Sequence, residues 1–225
     1  MEYAHTFSTQ GNQLLSIIHP SDKPSDIGVL VVVGGPQYRV GSHRQFVQLA
    51  RALASNGYTT MRFDCTGMGD SLGAKAEFEN INADIAAAVD SFIDQQPQIK
   101  KVVIWGLCDA ASAALMYSHQ DSRITGMILL NPWLRSDQAM GKTMLKFYYV
   151  QRLLSKDFWK KLITGKVNVK VSVSDVKGFA ADSVASSTGS SAQSYQTRML
   201  EGFNQFNGRI CFILSGNCLL YTSDA

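Results

Sequence analysis

The sequence predicts an α/β fold in which helices cover both faces of a mostly parallel central sheet. Short runs rich in β-branched residues alternate along the chain with longer segments of helical periodicity, which is the order that parallel sheets require. One of these runs, residues 29–33, is apolar at every position, as expected for a strand buried on both faces. The chain has 225 residues, of which 45% are hydrophobic, and it is therefore long enough to bury one sizeable core.

Seven segments are predicted to be strands because they are short, rich in apolar residues and bounded by turn formers. They are residues 3–8, 14–19, 29–33, 58–63, 101–105, 125–130 and 209–214. The first two flank a turn at residues 9–12 and are expected to form an antiparallel hairpin.

Three segments between these strands have the spacing of amphipathic or close-packed helices: 42–54, 81–92 and 109–118. Ser42 and Gln45 have the spacing of a capping box at the start of the first, and Gly57 suits the left-handed position beyond its end. Pro97 follows the second, and the third is rich in alanine.

The alternation breaks after Pro132, and this break divides the chain into predicted parts. They are the first part of the core (1–132), a helical insertion (133–206), a further core strand (207–217) and a non-native tail (218–225). The insertion begins with an aromatic, helical pattern and then has a small, polar stretch at 183–192, which is typical of a loop.

Charge and hydropathy exclude several classes of function. The 21 basic and 18 acidic residues give a net charge of +3 without any basic run, so nucleic acid is not an expected partner. No secretory signal is recognised, and the longest apolar runs are far shorter than the roughly 20 residues that span a bilayer. The four cysteines lack metal-ligand spacing and indicate reduced thiols in a cytoplasmic protein. No cofactor or metal motif is present, and the oligomeric state is left open.

The most informative segment, residues 106–110 (GLCDA), joins a predicted strand to a predicted helix. It matches the nucleophile elbow G-x-S-x-G, with Cys108 in the serine position and Ala110 in place of the second glycine. Small residues are required at both flanking positions because the strained turn brings the backbone close to them. A thiol at a helix N-terminus also has a lowered pKa. Cys108 is therefore the predicted nucleophile, and a buried structural cysteine is the alternative.

Together with the elbow, residues 62–71 (RFDCTGMGDS) resemble a strand-to-loop segment of the α/β-hydrolase superfamily. Within it, residues 33–46 (VGGPQYRVGSHRQF), 105–112 (WGLCDAAS) and 130–133 (LNPW) are similar to the exosortase A system-associated hydrolases, which accompany bacterial exopolysaccharide and protein-sorting loci. The resemblance covers nearly the whole chain. It implies an α/β-hydrolase fold with the insertion as a lid, and it implies no particular substrate.

The resemblance also implies an oxyanion hole. The amide of Asp109 is the first expected donor, and the second comes from the loop after the strand that ends at Val33. Pro36 has no N–H, so the amide of Gln37 is the first choice and that of Gly35 the second. A simple tight turn at this loop is the alternative.

Residues near the predicted site are candidates for substrate binding: Tyr38, His43 and Trp133. For His43, a surface position at a helix start is the alternative. The aromatic and lysine-rich insertion suggests a small amphipathic acyl or glycosyl substrate, although aromatic residues at such spacing also occur as core packing.

The acid and histidine of a catalytic triad are not recognised. In the resembled family the last strand runs into Ser-Gly-x-Asp, but here Cys218 stands in the Asp position. The four histidines, at positions 5, 19, 43 and 119, all precede the expected catalytic position. Residues 218–225 resemble a translated sequencing-library adapter, so we expect a C-terminally truncated, inactive chain.

The predicted function is therefore hydrolysis of an ester or thioester through Cys108 in the full-length enzyme, in association with a bacterial exopolysaccharide and exosortase system. Acyl transfer through the same thiol is one alternative. A binding protein that keeps the fold without catalysis is the other.

Overall fold

The structure is a computed structural model that describes residues 1–35, 37–134 and 193–215. Its strands are β1 (Tyr3–Thr9), β2 (Asn12–His19), β3 (Ile27–Val32), β4 (Thr60–Phe63), β5 (Lys101–Leu107), β6 (Ile124–Leu130) and β7 (Arg209–Ile213). Its α-helices are α1 (Gln45–Ser55), α2 (Asn82–Gln95), α3 (Asp109–Tyr117) and α4 (Tyr195–Gln205). Short 3₁₀ turns occupy Ser42–Arg44, Phe78–Asn80 and Ser118–Gln120. All seven predicted strands are confirmed, with ends that differ by one to two residues.

The strands form one sheet in the order β1-β2-β4-β3-β5-β6-β7. β1 pairs antiparallel with β2 through the predicted hairpin, β2 pairs antiparallel with β4, and the other neighbours are parallel. The chain moves from β3 outward to β4 and then returns to β5 on the other side of β3. The loops after β3 and β5 therefore leave the sheet in opposite directions, and a crevice opens between them.

Each face of the sheet has its own apolar cluster. The larger one joins α2, α3 and α4 to side chains such as Phe63, Ile104 and Leu129. The smaller one joins Phe46 of α1 to Val31 and Val33, with Trp105 and Leu107 at its edge. Helices thus lie on both faces, and the predicted fold class is confirmed.

The predicted insertion, residues 133–206, includes a helix that belongs with the core. α4 lies within the compact unit formed by Met1–Trp133 and Gln193–Cys218. It packs against α3, and its Met199 is buried in the larger cluster. Residues 135–192, which make up most of the predicted lid, and the predicted tail 218–225 lie outside the described residues.

The predicted capping box at Ser42 is wrong. α1 begins at Gln45 after two residues with positive φ, His43 and Arg44, and no side chain caps it. The side-chain amide of Gln45 donates instead to Oε1 of Gln37 at 3.1 Å, because the preceding loop folds back over the helix start. Gly57 has a φ of 99°, as predicted for the position beyond the helix end.

Within the described part of the chain, no helix combines the length and the apolar character that crossing a membrane requires.

Candidate active site

Cys108 lies at the junction between β5 and α3 in a backbone conformation that residues with a side chain rarely adopt. Its φ is 59° and its ψ is −121°. Its N–H donates to the carbonyl of Leu130 at 2.9 Å, and its carbonyl accepts the N–H of Trp133 at 3.1 Å and of Ala111 at 3.1 Å. β6 and the first turn of α3 therefore hold this strained residue in place, and its side chain is partly exposed.

The residues around Cys108 leave room for the sharp turn. A Cβ on Gly106 would lie 2.9 Å from the backbone nitrogen of Ala111, closer than side chains approach in folded proteins. Ala110 is fully buried. The backbone of α3 therefore leaves no room for a side chain at position 106, which agrees with the predicted requirement for a small residue there.

The loop after β3 lies against the start of α3. A Cβ on Gly34 would overlap the carboxylate of Asp109 and lie 2.7 Å from the backbone nitrogen of Ala110. Gly35 has a φ of 64°, and the N–H of Gln37 points back to the carbonyl of Gly34 at 3.4 Å, a long hydrogen bond. This loop is a tight turn, and it contacts the first residues of α3 across the crevice.

The side chain of Asp109 joins the two loops. One carboxylate oxygen accepts the N–H of Gly35 at 2.6 Å, and the other accepts the N–H of Ala110 at 2.9 Å. Burial raises the pKa of Asp109, and these two N–H groups oppose the rise because they stabilise the carboxylate. The sequence predicts a role for the backbone amide of Asp109 but not this contact of its side chain, because the contact joins two loops that are distant in the chain.

A buried charge network fixes the rest of the loop after β3. The backbone N–H of Arg39 donates to Asp64 at 2.6 Å, and its guanidinium contacts both Asp64 and Asp70. Arg62, which is 4% exposed, donates to the carbonyl of Arg39 at 2.8 Å and to Nε2 of His19 at 2.9 Å. The segment 62–71 that carried the family resemblance therefore anchors the loop that contains Gln37.

The three predicted substrate contacts lie in the loops that follow the carboxyl ends of β3 and β6. Tyr38 is 44% exposed, and the guanidinium of Arg39 lies 5.9 Å from the centre of its ring. His43 is exposed in the 3₁₀ turn before α1. Trp133 is partly buried beside the elbow, where its carbonyl accepts the hydroxyl of Ser112 at 2.9 Å.

The other histidines occupy elements away from the elbow. His5 is on β1, and His119 follows the C-terminal end of α3. His19 is buried at the end of β2, where desolvation lowers its pKa to about 4. Across residues 1–35, 37–134 and 193–215, no group of three His, Cys, Asp or Glu side chains is arranged to hold a metal ion.

The sheet order and the strained elbow at its central crevice define an α/β hydrolase. A family model described as serine aminopeptidase, S33 (Hydrolase_4) matches residues 28–200, and the chain belongs to this family. No curated protein matches the chain.

Solved structures with this fold come from distant proteins. The chain is similar to the esterase Pf2001 of Pyrococcus furiosus, with a TM-score of 0.66 and 17% identity over 98% of this chain and 72% of the esterase. It is also similar to DcsB, solved in complex with its substrate analogue, with a TM-score of 0.61 and 13% identity over 98% and 92% of the two chains. The hypothetical protein PA2218 of Pseudomonas aeruginosa has a TM-score of 0.51 and 22% identity, over 73% of this chain and 55% of that protein. These similarities support the fold.

Proposed function

We propose that this α/β hydrolase acts on an ester or thioester and that Cys108 is its nucleophile. The observation that carries the proposal is the backbone of Cys108, held at positive φ where β5 meets α3, beside the crevice at the centre of the sheet. Strain of this kind persists only where neighbouring structure enforces it, and it is concentrated at functional sites.

The environment of Cys108 suits a thiol nucleophile. The N-terminus of α3 places partial positive charge at the elbow, which favours a thiolate. The other described cysteines lack this setting. Cys65 is buried, and burial with nearby carboxylates raises its pKa, whereas Cys211 is exposed on β7.

The proposed reaction proceeds in two steps. The thiolate of Cys108 attacks the acyl carbon, a C–S bond forms, and the carbonyl electrons move to the oxygen. The amides of Asp109 and Gln37 are proposed to stabilise this oxyanion. When the carbonyl re-forms, the alkoxide or thiolate leaving group departs and takes a proton. Water then attacks the acyl-cysteine, which releases the acid and returns the thiol.

The proposed substrate is the small acyl or glycosyl molecule that the composition of the insertion suggests. Tyr38, His43 and Trp133 are proposed to contact the acyl or glycosyl portion of a small molecule. The resemblance to exosortase A system-associated hydrolases supports an association with a bacterial exopolysaccharide and exosortase system, and the cysteine content favours a cytoplasmic location.

Acylation by an activated ester tests the nucleophile. The chain is mixed with p-nitrophenyl acetate in mildly alkaline buffer, and the acetylated residues are identified by peptide mass spectrometry. The thiol proton goes to the buffer and p-nitrophenolate leaves. We expect Cys108 to be acetylated at least about tenfold faster than Cys211, because the proposed oxyanion donors, the amides of Asp109 and Gln37, serve Cys108, whereas Cys211 lies on β7.

Two variants serve as a matched pair for this experiment. Cys108→Ala should remove the fast acetylation, and Cys211→Ala should leave it unchanged. Equal labelling rates for Cys108 and Cys211 would contradict the proposed nucleophile.

A further inference from the structure

We infer that the Asp109 carboxylate is a positioning residue for the oxyanion loop, an inference that rests on the proposed function. By accepting the N–H of Gly35, it holds the loop after β3 against the start of α3 and leaves the Gln37 amide as the loop's oxyanion donor. The family resemblance implies a role for the backbone amide of Asp109, whereas the positioning role belongs to its side chain.

The first support is the geometry of the carboxylate. The 2.6 Å bond from Gly35 is a short hydrogen bond to a charged acceptor, the strongest class that a backbone amide forms with a side chain. The second oxygen is tied to Ala110, which fixes the rotation of the carboxylate relative to α3. The contact joins residues 74 positions apart. It therefore links the two loops that border the crevice.

The second support is the glycine that makes the contact possible. Any side chain on Gly34 would collide with the Asp109 carboxylate and with the backbone of Ala110. The close approach of the Asp109 carboxylate therefore requires glycine at position 34. Gly35 is favoured for a different reason, its φ of 64°.

Of the two candidate amides in the loop, those of Gly35 and Gln37, that of Gln37 is the one left available to an oxyanion. The N–H of Gly35 is committed to Asp109, so it is an anchor rather than an oxyanion donor. The N–H of Gln37 makes only a 3.4 Å bond within the turn, which an oxyanion would readily replace. The side chain of Gln37 accepts the side-chain N–H of Gln45 at 3.1 Å, and two residues further on the backbone N–H of Arg39 donates to Asp64 at 2.6 Å. The loop is therefore fastened on both sides of this amide.

The test compares two reactions of the same thiol. Acetylation by p-nitrophenyl acetate passes through an oxyanion, whereas alkylation by iodoacetamide is a displacement at carbon that forms none. The ratio of the two rates at Cys108 therefore reports the oxyanion hole separately from thiol reactivity and from folding. Peptide mass spectrometry measures both rates in the full chain with Cys211→Ser in the background.

We expect Asp109→Ala to lower the acetylation-to-alkylation ratio by about 100-fold, the scale for losing one oxyanion donor. Asp109→Asn keeps a neutral acceptor for Gly35 and should lower the ratio by about tenfold. Because the alanine variant loses a helix-start carboxylate and is expected to be less stable, the asparagine variant and thermal unfolding curves accompany it. Asp94→Asn, an exposed carboxylate on α2, is the matched control and should leave the ratio unchanged.

The outcomes separate the two proposals. If Cys108 in the unmodified chain is acetylated no faster than Cys211, the proposed nucleophile fails. If Cys108 is acetylated fast and both Asp109 variants keep the original ratio, the nucleophile stands and the role of Asp109 is overturned. A parallel fall in both rates would also overturn it, because that pattern indicates a purely structural effect.

Discussion

Cys108 carries backbone strain that a residue with a Cβ atom tolerates only at a cost. Conformations of this kind cost about 1–3 kcal/mol each. Here the conformation is held by backbone hydrogen bonds with four residues: Leu130, Trp133, Ala111 and Ser112. The strain arises from the Cβ atom at positive φ, so only replacement by glycine should release it.

We therefore expect Cys108→Gly to be more stable than Cys108→Ala by about 1 kcal/mol, because glycine adopts positive φ without a steric penalty. Both variants lose the thiol, so the comparison isolates the backbone. Urea unfolding followed by circular dichroism measures the difference. An alanine variant as stable as the glycine variant would mean that the elbow is not strained.

At the residue scale, the sequence allowed prediction of the elbow but not of its neighbours. The residue types at positions 106, 108 and 110 are required by local geometry, so they can be recognised from spacing alone. The contact between Asp109 and Gly35 depends on two loops meeting across the crevice, and nothing in the spacing of either loop indicates it.

Among the elements, α4 shows how packing decides membership of the core. The sequence predicts its helical pattern but places it in the insertion, because periodicity does not identify a packing partner. In the structure Gly202 of α4 lies against the backbone of α3, where any Cβ would overlap the carbonyl oxygen of Leu115. The two helices thus approach through a glycine contact.

Gly202→Ala should destabilise the core by about 1–3 kcal/mol or more, since the added methyl meets backbone rather than a flexible side chain. This loss should exceed the gain of up to about 1 kcal/mol that alanine brings to a helix interior. Asn204→Ala, at an exposed position of the same helix, is the control and should be neutral or stabilising. Chemical unfolding measures both, and a stabilised Gly202→Ala would contradict the close contact.

For the whole molecule, the two faces of the sheet are covered unequally by the described residues. α2, α3 and α4 cover one face, whereas α1 alone covers the other. Among these residues β7 pairs only with β6, and Phe212, Ile213 and Leu214 are 45%, 47% and 63% exposed. A strand edge that no other described strand covers and that carries exposed apolar side chains favours strand pairing between molecules.

We expect Ile213→Lys to reduce concentration-dependent association of this chain, because a charge at an edge strand opposes intermolecular pairing. Light scattering during slow heating measures association, and the free energy of unfolding should change by less than about 0.5 kcal/mol because the side chain is half exposed. Ile210→Lys, where the side chain packs against the core, should instead destabilise the fold. Unchanged scattering in Ile213→Lys would show that the β7 edge is not the site of association.

The order and type of the elements follow from the local sequence. Apolar periodicity and turn residues act over a few positions, which is why seven strands, the hairpin and the elbow were predictable. Contacts between segments distant in the chain cannot be predicted in this way, because the same apolar stripe can pack on many surfaces and a carboxylate can accept from many amides. Only the tertiary structure decides that α4 packs against α3 and that Asp109 accepts the N–H of Gly35, because only the packed core brings these segments within contact distance.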